Sequence, residues 1–458
     1  MSWRVIFGPP GTGKTRRLLR EIDDCGADIK DVAFVSFTRR AITEAMSRYK
    51  VNRAQAPFFR TLHALAYSHC DVAPGQLITN MRPVGEEIGF EFSRVNAMEN
   101  EPGPAEGDRA LRAYNLSRAT GQPFERIVKE YGIEISEFRY NLFVKSLDRY
   151  KEKNDKLEFS DLMRDSTELC PARYVFIDEA QDLTPEQWKF VRRTFANAER
   201  VTVAGDDDQA IYHWAGAHPD ELLNCSMDTE VLGQSFRLNQ HHFNIAERIS
   251  SRISRRQPKK WKPMRETGHV MKNAEMRDLR PVAGESWLFL ARNEFMVKRI
   301  RKLLLARGEK FTVHGDYPVP AKQINAVEAI RKLQSGGTIT AARGVSLREF
   351  GFPVIHRPRI SKADVKDLTL PGIWPDAWLY NTHPSGAQIE VTTIHQAKGA
   401  EADHVALWTD MARSSTEALS RGGRTADAEH RVWYVGVTRA KHGLFLMRPE
   451  EEHSYLID

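Results

Sequence analysis

WRVIFGPPGTGKTRRLLREI, Trp3 to Ile22, sets a short β-like apolar run against a glycine-rich turn and then a helical pattern. Gly8 to Thr15 fits G-x-x-x-x-G-K-[ST], the phosphate-binding P-loop, in the strand–loop–helix context that the motif needs. Gly8, Gly11 and Gly13, with Thr12 between them, let successive backbone N–H groups curl around phosphates, and the following helix N-terminus adds a favourable dipole. Lys14 is expected to reach the β- and γ-phosphates, and Thr15 to hold Mg²⁺. A nucleoside triphosphate follows from this; what its energy drives does not.

Further short buried runs share the rhythm: VAFVSF (Val32–Phe37), RYVFID (Arg173–Asp178) and RVTVAG (Arg200–Gly205). Short apolar strands alternating with helices predict a parallel α/β sheet. Residues 65–165 break that rhythm with helical patterning, as in ISEFRYNLFVKSLDRYKEK. A second α/β series is expected from near Glu230, through SWLFLAR, EVTTIH, DHVALW and HGLFLM. Residues 319–387 are Pro-rich and irregular, and are expected to form a small insertion. The predicted class is α/β, with two P-loop-type domains. The first takes 1–64 and 166–227 around a helical insertion at 65–165. The second takes 228–318 and 388–458 around the small insertion.

With 458 residues, 41% apolar and 28% charged, the chain suits two to four globular domains. No apolar run approaches the roughly 18 residues that span a membrane, and no signal peptide precedes the P-loop, so a cytosolic or nucleoid setting is expected. The four cysteines lie far apart without a C-x-x-C pair, which argues against a disulfide framework or a cysteine-rich zinc site. A net charge of +6 only permits nucleic acid. Locally, RISSRISRRQPKKWKPMR (Arg248–Arg265) holds eight Lys/Arg, no acid and Trp261. It reads either as a solvated surface or as a phosphate-binding patch.

VFIDEAQD (Val175–Asp182) ends a buried strand in two acids. Asp178 is placed to hold the metal, and Glu179 to orient and deprotonate a water attacking the γ-phosphate. AGDDDQAIYHWAGA (Ala204–Ala217) crowds three carboxylates, a glutamine and three aromatic rings. It is either a solvated turn whose rings fill a core, or a joint between a phosphate-bearing ligand and flat bases.

Taken together, these motifs resemble the UvrD/Rep type of superfamily 1 DNA helicase along nearly the whole chain. After the P-loop come FVSFTRRAITEAMSR, TLHALAY, DEAQD, AGDDDQAIYHWAGA, LGQSFRL, VTTIHQAKGAEADHV and EHRVWYVGVTRAK, in the family order. The resemblance implies two RecA-like domains that couple ATP hydrolysis to alternating grip on single-stranded DNA, with 3′→5′ movement. Gln209 would sense the γ-phosphate, while Tyr212 and Trp214 would meet bases. Phe236 would stack on adenine, and Arg237 and Arg439 would approach the γ-phosphate from the second domain. Glu401 would contact the ribose, with Gly399 allowing close backbone approach. The strand would pass Phe37, Thr38, Arg39 and His63, then Thr393, His395 and Lys398, with Trp261 of the basic run nearby. His63, His395 and Tyr212 also suit structural roles. Implied partners are ATP with Mg²⁺, single-stranded or tailed duplex DNA, and a replication or repair protein. A monomer in isolation is expected.

Four departures from the family stand out. No adenine-reading glutamine segment precedes Gly8, leaving ATP preference open. Arg39-Arg40 replaces the usual Asn-Lys, the insertion before VTTIH is short, and 17 residues follow Lys441. A second reading is therefore a DNA-stimulated ATPase that remodels protein–DNA complexes without processive unwinding. A small-molecule kinase would leave QSFRL, TIHQAKGAE and YVGVTRA without a purpose.

Overall fold

A computed structural model describes residues 2–93, 105–225, 228–316, 318–319, 321–349, 352, 354–355, 357–365 and 388–457. The chain divides into two compact units. The first comprises Met1–Thr267 and Glu417–Thr438, and the second Gly268–Thr416 and Arg439–Ile457.

Six strands make the first unit's sheet: β1 (Ser2–Phe7), β2 (Val32–Ser36), β3 (Phe59–Thr61), β4 (Tyr174–Asp178), β5 (Arg200–Gly205) and β6 (Asp228–Val231). Their order is β3-β2-β4-β5-β1-β6, and every pairing is parallel. β2 is buried throughout, and Val5, Val175, Ile177, Val201 and Val203 are likewise closed off. Continuous β-branched runs of this kind suit a sheet covered by helices on both faces. Register fixes where the chemistry collects. Phe7 pairs with Gly205 and Ser36 with Asp178, so the carboxyl ends of β1, β2, β4 and β5 finish at one edge. In open α/β sheets ligands bind at that edge.

The expected domain start at 228 does not match this sheet. β6 pairs with β1 at the sheet margin, and the unit boundary falls after Thr267. Residues 417–438 likewise join the first unit, where the helix Gly423–Val437 buries Val432, Trp433 and Tyr434.

Residues 65–165 are helical where described. Their helices close around Phe143 and Leu147, with Val84, Tyr114 and Ile127 packed on them. Asp161 is buried there beneath Lys151 at 2.7 Å and Arg118 at 2.6 Å, a charge made tolerable by its two cations.

In the second unit come β7 (His269–Ala274), β8 (Trp287–Ala291), β9 (Phe311–Val313), the short β10 (Ile339–Thr340) and β11 (Arg359–Ile360), then β12 (Ile389–Thr393), β13 (Ala402–Trp408) and β14 (Ala440–Met447). The main sheet runs β7-β14-β13-β8-β12-β9, all parallel, and β10 pairs antiparallel with β11. Two RecA-like sheets flanked by helices thus match the expected class. The stretch expected to be irregular holds the helices Ala321–Gln334 and Ala341–Glu349. Leu333, Leu347, Phe352 and Ile360 share one apolar cluster with Trp287 and Phe289, so this stretch extends the core of the second unit. Residues 366–387, with the rest of that expected insertion, lie outside the described residues.

Cys25, Cys70, Cys170 and Cys225 are free thiols, with Cys170 buried and the other three half-buried. No helix among the described residues is long and apolar enough to cross a membrane.

Candidate active site and nucleic-acid surface

The P-loop leaves β1 with Gly8 N–H donating to the Gly205 carbonyl at 3.0 Å. Gly11 and Gly13 take φ of 71° and 81°, left-handed values that L side chains avoid. Gly11 also has no room, because a Cβ there would stand 2.4 Å from the Arg237 Cβ. The helix Lys14–Cys25 starts directly after the loop with no side-chain cap, so its first N–H groups remain for a ligand. Thr12 Oγ1 donates to the Pro9 carbonyl at 2.7 Å, and Lys14 Nζ donates to the Gly8 carbonyl at 2.9 Å.

Phe236 and Arg237 sit on this loop within the first unit, whereas the resemblance put them on the second domain. Ser235 Oγ donates to the Pro10 carbonyl at 2.8 Å, and Phe236 N–H to the Gly11 carbonyl at 2.9 Å. Phe236 is 75% exposed, leaving a ring face open beside the P-loop.

Thr15 Oγ1 donates to Asp178 Oδ2 at 2.6 Å, joining the P-loop to the end of β4. Asp178 is buried, and burial together with the neighbouring Glu179 carboxylate pushes its carboxyl up to about 6. Glu179 adopts φ 54°, a left-handed conformation costing a non-glycine residue about 1 kcal/mol. It begins a short 3₁₀ turn that holds Gln181, a side chain with no exposed surface. Gln181 Nε2 donates to Glu179 Oε2 at 2.5 Å, while its Oε1 accepts from Asp206 N–H at 3.0 Å. Asp206 Oδ2 accepts in turn from Gln209 Nε2 at 2.6 Å. A continuous hydrogen-bonded path therefore runs Glu179–Gln181–Asp206–Gln209. Gln181 carried no expected role; its position two residues past Glu179 in DEAQD was the available signal.

The three carboxylates of DDDQ meet the basic run. Lys259 Nζ lies 3.0, 2.6 and 2.7 Å from Asp206, Asp207 and Asp208. Arg256 grips Asp208 through two nitrogens at 2.9 and 2.6 Å, and Arg431 Nε donates to the Asp207 carbonyl at 2.8 Å. Burial alone would lower the Lys259 ammonium, but the surrounding carboxylates outweigh it and hold it above the usual lysine range. Asp208, paired to both cations, is held below the ordinary carboxylate range, although burial opposes this. Trp261, expected as a DNA contact, sits largely inside the first unit. Its ring is 7% exposed and packs edge-on against Phe243 at 4.6 Å. Here a basic run neutralises buried acids of its own chain.

Trp214 and Tyr212 remain half-buried. Phe37, 40% exposed, stacks on Tyr212 at 5.3 Å and 24°, and Trp214 meets Tyr212 edge-on at 6.3 Å. The indole Nε1 of Trp214 is shielded and makes no hydrogen bond. Thr38 caps the helix Arg39–Tyr49 by accepting from Ala41 N–H at 3.3 Å, with Arg39 exposed beside it. His63 is exposed and meets Phe159 edge-on at 6.1 Å; Phe159, itself 44% exposed, had no expected role. Both line a cavity of about 550 Å³ that Ala215 also borders. None of its lining residues comes from the P-loop, so it belongs with the aromatic surface and not with the triphosphate chemistry.

In the second unit, the loop after β12 carries the remaining candidates. Thr393 and His395, both expected along the strand, are 6% and 2% exposed. Thr393 Oγ1 accepts from Gln396 N–H at 3.3 Å, and Lys398 is half-buried. Gly399 has φ 82° and nothing within 4 Å of an added Cβ. Glu401 is exposed and pairs with Lys441 at 2.8 Å. Arg439 is buried and donates to the Ala400 carbonyl at 3.2 Å.

Residues 134–230 match the UvrD/REP helicase N-terminal domain, and residues 388–447 match the UvrD-like helicase C-terminal domain. The ATP-dependent DNA helicase Rep of Escherichia coli K12 is 26% identical over 271 residues, covering 52% of this chain and 38% of Rep. Rep of Salmonella typhimurium is 26% identical over 267 residues, again covering 52% and 38%. The ATP-dependent DNA helicase PcrA of Staphylococcus epidermidis is 22% identical over 296 residues, covering 56% of this chain and 39% of PcrA. The match thus spans well under half the length of these relatives.

Proposed function

We propose that this chain, which carries both UvrD-type helicase domains, is an ATP-driven motor on single-stranded DNA. In this reading it moves 3′→5′ and separates a tailed duplex, acting as a monomer in isolation and at the service of replication or repair. The observation that carries the reading is the path from Glu179 through Gln181 and Asp206 to Gln209, which ends three residues before Tyr212 and five before Trp214.

Lys14 would leave the Gly8 carbonyl for the β- and γ-phosphates. The Thr15 hydroxyl and the Asp178 carboxylate, adjacent and of hard oxygen chemistry, fit Mg²⁺ bound with the triphosphate. That ion would screen the phosphate charge. Glu179 would orient and deprotonate the attacking water. Gln209 is proposed to exchange its bond to Asp206 for one to the γ-phosphate. Through Gln181 the base and the sensor would then respond together, and the Tyr212–Trp214 segment would follow. Phe37, Tyr212, Trp214 and His63 would offer stacking faces to bases, with Thr38, Arg39 and Lys398 near phosphates. Phe236 would lie on the adenine, Arg237 beside the γ-phosphate, and Arg439, Gly399 and Glu401 are proposed nucleotide contacts of the second unit.

Glu179→Gln tests this. ATP hydrolysis with single-stranded DNA should fall about 10³-fold while nucleotide binding persists. Hydrolysis retained near the parent rate would overturn the role of Glu179.

A further inference from the structure

Two histidines bracket Trp214, and the motor reading uses neither. His213 lies in the 3₁₀ turn Tyr212–Ala215, and His218 follows it. Both turn toward the helix Phe124–Tyr131 of the helical stretch, where His213 Nε2 lies 3.4 Å and His218 Nε2 3.7 Å from the same Oε1 of Glu130. All three atoms are shut off from solvent and none makes a hydrogen bond.

Those separations are long for hydrogen bonds, whose N–H···O distances run roughly 2.7–3.2 Å. They suit a different arrangement. Ligands about 2.0–2.1 Å from one tetrahedral ion stand about 3.4 Å from each other. The three ligand atoms lie within 4.8 Å of one another. Packing holds the rings in place: Tyr131 stacks on His213 at 4.8 Å and 24°, and His213 meets His218 edge-on at 4.7 Å. Arg126 Nε lies 3.9 Å from the other carboxylate oxygen, Glu130 Oε2, so it balances charge without occupying the convergence point.

We propose that Glu130, His213 and His218 form a zinc site that fastens the helical stretch to the turn carrying Tyr212 and Trp214. Two imidazoles and one carboxylate suit Zn²⁺, with a water as the fourth ligand, whereas Mg²⁺ and Ca²⁺ prefer all-oxygen sets. The enclosed ligand atoms give the ion a structural role. Its effect on strand grip rests on the motor reading; its existence does not.

The full chain, stripped with a chelator and titrated with ZnCl₂ in the absence of nucleotide and DNA, tests the site. About one equivalent should bind, and the melting temperature should rise by about 5 °C at saturating metal. Glu130→Gln and His218→Asn should each weaken Zn²⁺ binding beyond the roughly 10–100-fold that loss of an outer partner costs. Lys14→Ala should bind as the parent does, and MgCl₂ should not compete. Should either variant misfold, Co²⁺ added to the parent chain should give the visible absorption of a tetrahedral ion. No saturable Zn²⁺ binding, equal binding in folded variants, or an octahedral Co²⁺ spectrum would overturn the site. Loss of DNA stimulation with zinc binding intact would count against the motor reading alone.

Discussion

Trp214 and Trp261 lie on two stretches that grip each other and yet leave their tryptophans in opposite surroundings. The acidic stretch gives Asp206, Asp207 and Asp208, the basic one gives Lys259 and Arg256, and their charges cancel inside the first unit. On the basic side the chain then turns inward, and Trp261 packs against Phe243. On the acidic side it turns outward, so Tyr212 and Trp214 join Phe37 at the surface. The acids beside Gln209 are therefore scaffold, and the rings after it are the surface proposed to meet bases. Charge and aromatic content alone do not separate the two cases; the partner that each charge finds does.

Lys259→Met should break the comparison most severely. Removing the ammonium leaves three carboxylates short of a cation in a buried corner, and the expected loss is about 3–5 kcal/mol of unfolding free energy by denaturant titration. Trp261→Ala should destabilise by a similar amount, at most about 3–5 kcal/mol. In the fraction that stays folded, the ratio of DNA-stimulated to basal ATP hydrolysis should hold. A lost ratio in folded Trp261→Ala protein would place that ring on the strand after all.

Trp214→Ala should do the reverse. Stability should change little, while single-stranded DNA affinity, measured by fluorescence anisotropy, should drop by about 1–3 kcal/mol, the contribution of one stacked base. The smallest effect concerns pH. Burial raises the Asp178 carboxyl to about 6, so it is protonated below that value and loses its charge for the cation. Mg·ATP affinity should weaken by up to about tenfold per unit as pH falls below about 6. The sign for folding is opposite. Because the folded value exceeds the unfolded one, the Asp178 contribution to nucleotide-free stability is full below about 4 and lost as pH rises through about 6. Calorimetry of Asp178→Asn against the parent checks both directions.

Much of the fold was legible because parallel strands buried on both faces leave continuous apolar runs, as in VAFVS and YVFID. The P-loop was legible because its glycines answer a backbone demand. The boundary at 228 was not, since DTEV is half-polar and only its pairing with β1 shows that it closes the first sheet. The irregular look of 319–365 came from prolines and glycines, while Leu333 and Leu347 carry the packing. At the candidate site, Asp178 and Glu179 announce themselves by ending a buried strand. Gln181 does not, because a buried amide is recognised by the two partners it bridges. The basic run stayed open between two readings for the same reason, since a buried ion pair between residues 51 apart has no local signature.

The most direct test is the stimulation of ATP hydrolysis by single-stranded DNA, measured in parallel on the parent and on Trp214→Ala. If Gln209 and the rings after it join nucleotide state to strand, stimulation should be strong in the parent and should collapse in the variant. Stimulation that survives undiminished at saturating DNA would contradict that coupling and send it through other contacts.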